Sequence, residues 1–246
     1  MIASMVFYLG LVTLVAGTVL FFKPRFPGIR TRRRAAAVAA AGFTLALIGL
    51  AFPIPDYRVA EPRTRLDEFA PVYQFHEIHS TTVRASKERV YLAIRQVTAG
   101  EILFFRTLIW LRRAGQPGPE SMLNAPEKIP LIEVATRSGF VELASDAGRE
   151  LALGTVVIAP PGRTPGKQLT AEVYARLDSP GFAKATMNFL VEEKPDGQCL
   201  VTTVTRVHAI GKATGRRFAV YWRIIYPGSA LIRRMWLRAI RLRAEA

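Results

Sequence analysis

The chain has 246 residues, half of them hydrophobic, with 34 basic against 19 acidic side chains and a net charge of +15. The excess sits at the two ends: residues 1–66 and 212–246 each carry nine basic side chains, against two acids and one, while residues 67–211 balance; a neutral body excludes the basic footprint of a nucleic-acid-binding domain. A single cysteine, Cys199, excludes an internal disulfide framework and any Cys-x-x-Cys metal or redox motif.

The first 22 residues, MIASMVFYLGLVTLVAGTVLFF, carry no charge. As a helix they reach about 33 Å, enough for a bilayer core of about 30 Å. They lack the basic start of a signal peptide and are long for its apolar stretch, so a retained span is expected. Residues 35–55 form a second charge-free run, closed by Pro53 and Pro55. Between the spans, residues 23–34 (KPRFPGIRTRRR) hold six positive charges. The positive-inside rule then puts this loop in the cytoplasm and the C-terminal domain outside it, although Arg58, Arg63 and Arg65 pull the other way. Residues 56–71 are polar, carry Pro62 and Pro71, and read as a linker.

Residues 72–86 (VYQFHEIHSTTVRAS) have the β-branched and aromatic content of a strand. Ser86 caps a helix over 87–97, with Val90, Ile94 and Val97 on one face. Thr98 and Glu101 have capping-box spacing, which predicts a second helix from there to Gly115. Four prolines make 116–130 a loop. Two strands follow around a turn at 145–148, then a Pro/Gly loop at 160–167. Residues 169–182 are expected to be a short helix or an irregular edge. Residues 183–211 form a hairpin turning at Pro195-Asp196-Gly197. A final helix spans 212–243, with a kink or break expected at Pro227-Gly228. On its wheel Phe218, Trp222, Ile225, Ser229, Ile232, Trp236 and Ile240 share a packing face. Arg216, Arg223, Arg234, Arg238 and Arg241 lie elsewhere, and the helix is too charged for a third span. The element order is that of an α+β fold, an antiparallel sheet with helices on one side.

The stretches FHEIHSTTVRASKERVYLAI, AKATMNFLVEE and TTVTRVHAIGKATGRRFAVYWRIIYPGSALIRRMWLRAIRLRAE, in that order, resemble the START-like superfamily, also called SRPBCC or polyketide cyclase/dehydrase-like. The resemblance covers residues 72–246, not the two spans, and rests on no single short motif. It implies a helix-grip fold, a curved antiparallel sheet around the long C-terminal helix, with a hydrophobic small molecule or lipid bound between them. The implied protein is a multi-pass membrane protein with two spans whose domain binds, and in one version transfers, such a ligand. Two alternatives stand beside it: a cyclase/dehydrase-type enzyme, and a scaffold whose basic C-terminal helix binds anionic lipid or an acidic partner. Fold alone does not choose among them.

The candidate ligand-lining residues are apolar: Trp110, Phe140, Met187, Phe189 and Trp222. Met187, Phe189 and Val191 alternate along one strand face, opposite Thr186, Asn188 and Leu190. Glu77 and Arg206, on the first and last strands, are candidates for a cross-strand pair orienting a polar ligand group, and Asn188, on the penultimate strand, is a further polar candidate. His76 and His79 have odd spacing and point to opposite faces of a strand, and His208 is distant, so no metal site is expected. No Ser-His-Asp constellation, Gly-x-Ser-x-Gly or phosphate-binding glycine loop occurs, so no catalytic residue is assigned and no cofactor is implied.

Overall fold

A computed structural model of the protein describes residues 2–23, 31–112, 116, 121–122, 124–163 and 169–246. The chain divides into two compact units, residues 1–54 with 219–223, and residues 55–218 with 224–246.

In the first unit, α1 (Ile2–Phe22) and α2 (Arg32–Ala51) are each long and apolar enough to cross a membrane. They pack antiparallel through glycines seven residues apart. A Cβ on Gly42 would run into the Leu14 backbone, and one on Gly17 would run into the backbone of Ala39. Gly10 against Ala46 and Gly49 against Phe7 repeat the contact. Small residues that admit close backbone approach are how apolar helices associate where no hydrophobic driving force separates helix from lipid. The hydroxyls of Thr18 and Thr44 donate to the carbonyls of Leu14 and Ala40, so neither is left as a free donor on an apolar surface. The second helix starts earlier than its charge-free run: Thr31 caps it by accepting from the Arg34 N–H, so Arg32–Arg34 form its first turn rather than loop. It ends at Ala51, because Phe52 precedes Pro53 and is extended. Residues 219–223 belong to this unit, and within it the Tyr8 hydroxyl donates to the Arg223 carbonyl at 2.5 Å.

The second unit is α+β. Its sheet has five antiparallel strands in the order β3-β7-β6-β5-β4: β3 (Phe75–Val83), β7 (Cys199–Ala209), β6 (Ala183–Glu193), β5 (Glu150–Ile158) and β4 (Phe140–Asp146). The hairpin turns fall where expected, at Gly148 and at Pro195-Asp196-Gly197. Both glycines have positive φ, 73° and 75°. The segment expected to be a linker is folded into this unit. Within it, β1 (Tyr57–Arg58) pairs with β2 (Val72–Tyr73), and α3 (Arg65–Phe69) is a short capped helix whose Leu66 is fully buried.

Ser86 caps α4 (Lys87–Gln96) as expected. The Thr98–Glu101 capping box is also present, but it opens only a 3-10 turn over Ala99–Glu101. The turn ends before Phe104, which has φ 61°, and α5 (Phe105–Arg112) starts after it. Gly115 and parts of the loops at 23–34, 116–130 and 160–167 lie outside the described residues. A further helix, α6 (Leu131–Arg137), adds to the expected elements. The short helix at 171–176 is α7 (Ala171–Arg176). The chain closes with α8 (Lys212–Glu245), 34 residues without a break at Pro227. Pro227 lacks the N–H that would have served the Arg223 carbonyl, and Tyr8 supplies a donor to that acceptor instead.

One face of the sheet carries the main apolar cluster. Leu151, Leu153, Met187, Phe189, Val191 and Val201 pack there with α4, α5, α6 and Trp236, Leu237 and Ile240 of α8. The other face is covered in part by α3 and α7, with Tyr174 buried over Gly154.

Candidate functional site

Strand periodicity divides the polar residues of the sheet between its two faces. Toward α8 point Glu77 and His79 of β3, Thr203 of β7, and Met187 and Phe189 of β6. The register sets Glu77 opposite Thr205, His79 opposite Thr203, and Thr203 opposite Phe189. Glu77 is 2 % exposed. One of its oxygens lies 2.7 Å from His79 Nε2, and the other accepts from the Ser229 hydroxyl of α8 at 2.9 Å.

One helical turn beyond Ser229, the Arg233 guanidinium donates through Nη2 to the Met187 sulfur at 3.2 Å and lies 5.4 Å from the Trp236 ring centre. Trp236 meets Phe189 edge to face at 4.9 Å. Three atoms of this cluster are shut off from solvent and have no hydrogen-bond partner among the described residues: Arg233 Nη1, Trp236 Nε1 and Thr203 Oγ1. Native interiors satisfy nearly all such atoms, so three together mark the place as unusual. Burial pushes the Arg233 pKa down, with the Glu77 charge opposing.

The arrangement does not activate a nucleophile. Glu77 sits between Ser229 and His79, whereas a relay needs the imidazole between hydroxyl and carboxylate. Among the described residues no group of three His, Cys, Asp or Glu side chains could hold a metal.

The other face is built from structural polar contacts. Glu150, fully buried, accepts from the backbone N–H groups of Arg65 (2.8 Å) and Leu66 (3.1 Å) and from Asn188 Nδ2 (2.6 Å). It thereby holds the start of α3 on the sheet. Arg206 pairs with Asp67 at 2.8 Å and lies over the Tyr73 ring. Asp67 is buried, which works against its charge. Hydrogen bonds from Arg63 N–H and Thr64, with Arg206 beside it, outweigh burial and hold its carboxyl below the ordinary range. The Tyr174 hydroxyl meets Thr186 Oγ1 at 2.8 Å, and burial raises its pKa despite that bond.

The expected Glu77–Arg206 pair does not form. Glu77 lies opposite Thr205, so Arg206, one residue further, points to the other face. Asn188 and His208 share that face with Arg206, so Glu77 stands apart from these three polar residues. Of the apolar candidates, Met187, Phe189 and Phe140 join one cluster. Trp110 stands on α5, 61 % exposed, and Trp222 is buried on α8 but is not part of that cluster. Arg223, expected off the packing face of α8, is nevertheless only 4 % exposed. Sequence reasoning missed His79, Ser229, Arg233 and Thr203 as members of the site. The available signal was the spacing of Ser229, Arg233 and Trp236, four and seven residues along the packing face.

No family model and no curated protein matches the chain. Among solved structures, a hypothetical protein of Helicobacter pylori aligns over 76 % of this chain and 97 % of its own, with 10 % identity and a TM-score of 0.36. A protein of Thermus thermophilus aligns over 69 % of this chain and 97 % of its own, with 8 % identity and a TM-score of 0.27. Scores this low carry no argument about this chain.

Proposed function

We propose that the protein is a membrane-tethered domain that binds a hydrophobic small molecule or lipid between its sheet and α8, in the manner of the START-like superfamily with its helix-grip fold. The observation that carries this reading is the buried cluster on the α8 face of the sheet. Polar atoms without partners are set there among Met187, Phe189 and Trp236, and an interior meant only for packing has no use for them. The two apolar helices keep such a domain beside a supply of apolar ligand. Extraction of the full chain with its membrane in polymer discs, followed by mass spectrometry, tests the reading. One amphiphile enriched over the bulk membrane composition, in near-stoichiometric amount, is the expected result. Bulk lipid alone would refute it.

A second reading, compatible with the first, has α8 also touching the membrane surface. Val220, Ile224, Pro227 and Leu231 are exposed and fall within about 60° of one another on the helical wheel. Arg216, Arg217, Arg234 and Arg238 extend the same exposed side at both ends. An exposed apolar stripe bracketed by arginines is the composition of a helix lying among anionic headgroups. A polarity-sensitive dye on Ile224→Cys, in a Cys199→Ser background, should shift blue in discs with phosphatidylglycerol and not in discs of phosphatidylcholine alone. A dye that reports water in both would count against the contact.

A further inference from the structure

We infer that Arg233, Trp236 and Thr203 form the head-group end of the ligand site, and that the head group is a carboxylate on an apolar body. This rests on the ligand-binding reading above and narrows it to one chemical class.

Arg233 Nη1 and Trp236 Nε1 can only donate, and the Thr203 hydroxyl can donate as well. These three atoms are enclosed and without a partner among the described residues; Trp236 and Thr203 are 1 % and 2 % exposed, while Arg233 is half-buried with its Nη1 shut off. Register and ring contacts link their residues in one run: Thr203 lies beside Phe189, Phe189 touches Trp236, and Arg233 lies over Trp236. A group that accepts several hydrogen bonds and donates none fits this set. An alcohol head brings a donor of its own and fewer acceptor sites.

Charge narrows the choice further. Among the described residues no carboxylate lies within ion-pair distance of Arg233. Glu77 acts on it only from further away, and both Glu77 oxygens are engaged by His79 and Ser229. A half-buried guanidinium with one enclosed nitrogen and no paired anion is costly, and one arriving negative charge offsets that cost. A phosphate would bring about two, with Glu77 already present to repel the second. The rest of the surface is apolar (Met187, Phe189, Ile232 and the Trp236 ring), which suits an apolar body rather than a small polar acid.

The test uses the full chain in lipid-free peptide discs, with protein-free discs subtracted. Equilibrium binding is measured for two matched pairs of probes: hexadecanoic acid with hexadecanol, and pyrenebutyric acid with pyrenebutanol. At least one acid should bind about tenfold more tightly than its alcohol, the scale of one charge-assisted hydrogen-bond set. Arg233→Met should remove most of that preference and leave the alcohol within about twofold. Thr203→Val, which keeps shape and loses one polar hydrogen, should weaken the acid by about three- to tenfold and leave the alcohol nearly unchanged; Trp236→Phe, which loses ring area as well as its N–H, should weaken the acid by about three- to tenfold more than it weakens the alcohol. These two variants carry the comparison if Arg233→Met does not fold. Acid and alcohol bound equally well, with no variant separating them, would overturn the carboxylate assignment, leave the donors to water and leave the hydrophobic-ligand reading standing. No probe bound above protein-free discs would overturn both.

Discussion

Asp67 and Arg206 show how much a single residue's neighbours decide. The carboxylate is buried with its cation, and it also closes the capping box of α3 through Thr64. Asp67→Asn removes the charge from a pair whose partner is only 14 % exposed, and breaking a buried pair from one side costs about 3 kcal/mol. The folded-state pKa lies below the ordinary value, so the stabilisation is complete above the ordinary carboxyl range, near pH 4. It is lost as pH falls further, through the depressed value. Urea unfolding of the full chain should therefore show wild type and Asp67→Asn separated by a constant gap from pH 5 to 8, closing below pH 4. A gap independent of pH down to pH 3 would show that the charge is not what matters. The same residue scale explains why the site was only partly legible. Alternation along β6 correctly set Met187 and Phe189 apart from Asn188. Alternation could not pair β3 with β7, because a one-residue difference in register moves Arg206 to the other face, and local sequence does not fix a long-range register. Arg233 was hidden by its neighbour: Arg233-Arg234 reads as one solvated pair, yet Arg233 is a turn from Ser229 on the packing face while Arg234 is exposed.

Among the elements, α1 and α2 depend on what they lack. The glycine contacts leave no room for a side chain, so Gly42→Leu must push the helices apart or break their register. Gly17 meets Ala39, and one helical turn further along each antiparallel helix brings Phe21 opposite Ala35. Cysteines at these two positions, in a Cys199→Ser background, should crosslink after mild oxidation and report the packing. Added to that reporter pair, Gly42→Leu should cut crosslinking several-fold, and Ala40→Leu should do so less. Equal crosslinking in all would mean that the hairpin does not need close packing. The two long apolar helices were legible because about 20 apolar residues in a row satisfy one strong length rule. Weaker rules served the smaller elements less well. The seven residues of α6 follow a proline-rich stretch and hold barely two turns, too few for a periodic signal. The expected linker folds because Glu150, distant in sequence, serves the start of α3, and no local pattern reveals such a partner. The helix runs on past Pro227, and the Arg223 carbonyl, which a proline cannot serve, accepts from Tyr8, again a contact from far along the chain.

At the scale of the whole molecule, the charge distribution bears on function more than the net charge of +15 does. Six basic side chains lie in residues 23–34, between the two candidate spans, with none before the first of them. Arg32–Arg34 open α2, so the positive charge stands at the very end of a candidate span, where orientation is most sensitive to it. The flank after α2 carries Arg58, Arg63 and Arg65, but Asp56 and Glu61 stand among them. Arg65 is bound to Asp146 and Glu68 within the folded unit, and Arg63 lies beside Glu61. These contacts form only after the domain folds, so they temper the opposing pull without removing it from the nascent chain. The expected topology keeps the loop in the cytoplasm and the second unit on the other side. Fusions at Ala246 report this directly: alkaline phosphatase should be active there, and green fluorescent protein dark. Changing Arg25, Arg30, Arg32, Arg33 and Arg34 together to Gln leaves Lys23 as the loop's one charge against three arginines beyond α2, and should invert or mix the two signals. A bright fluorescent fusion on the unaltered chain would place the second unit in the cytoplasm.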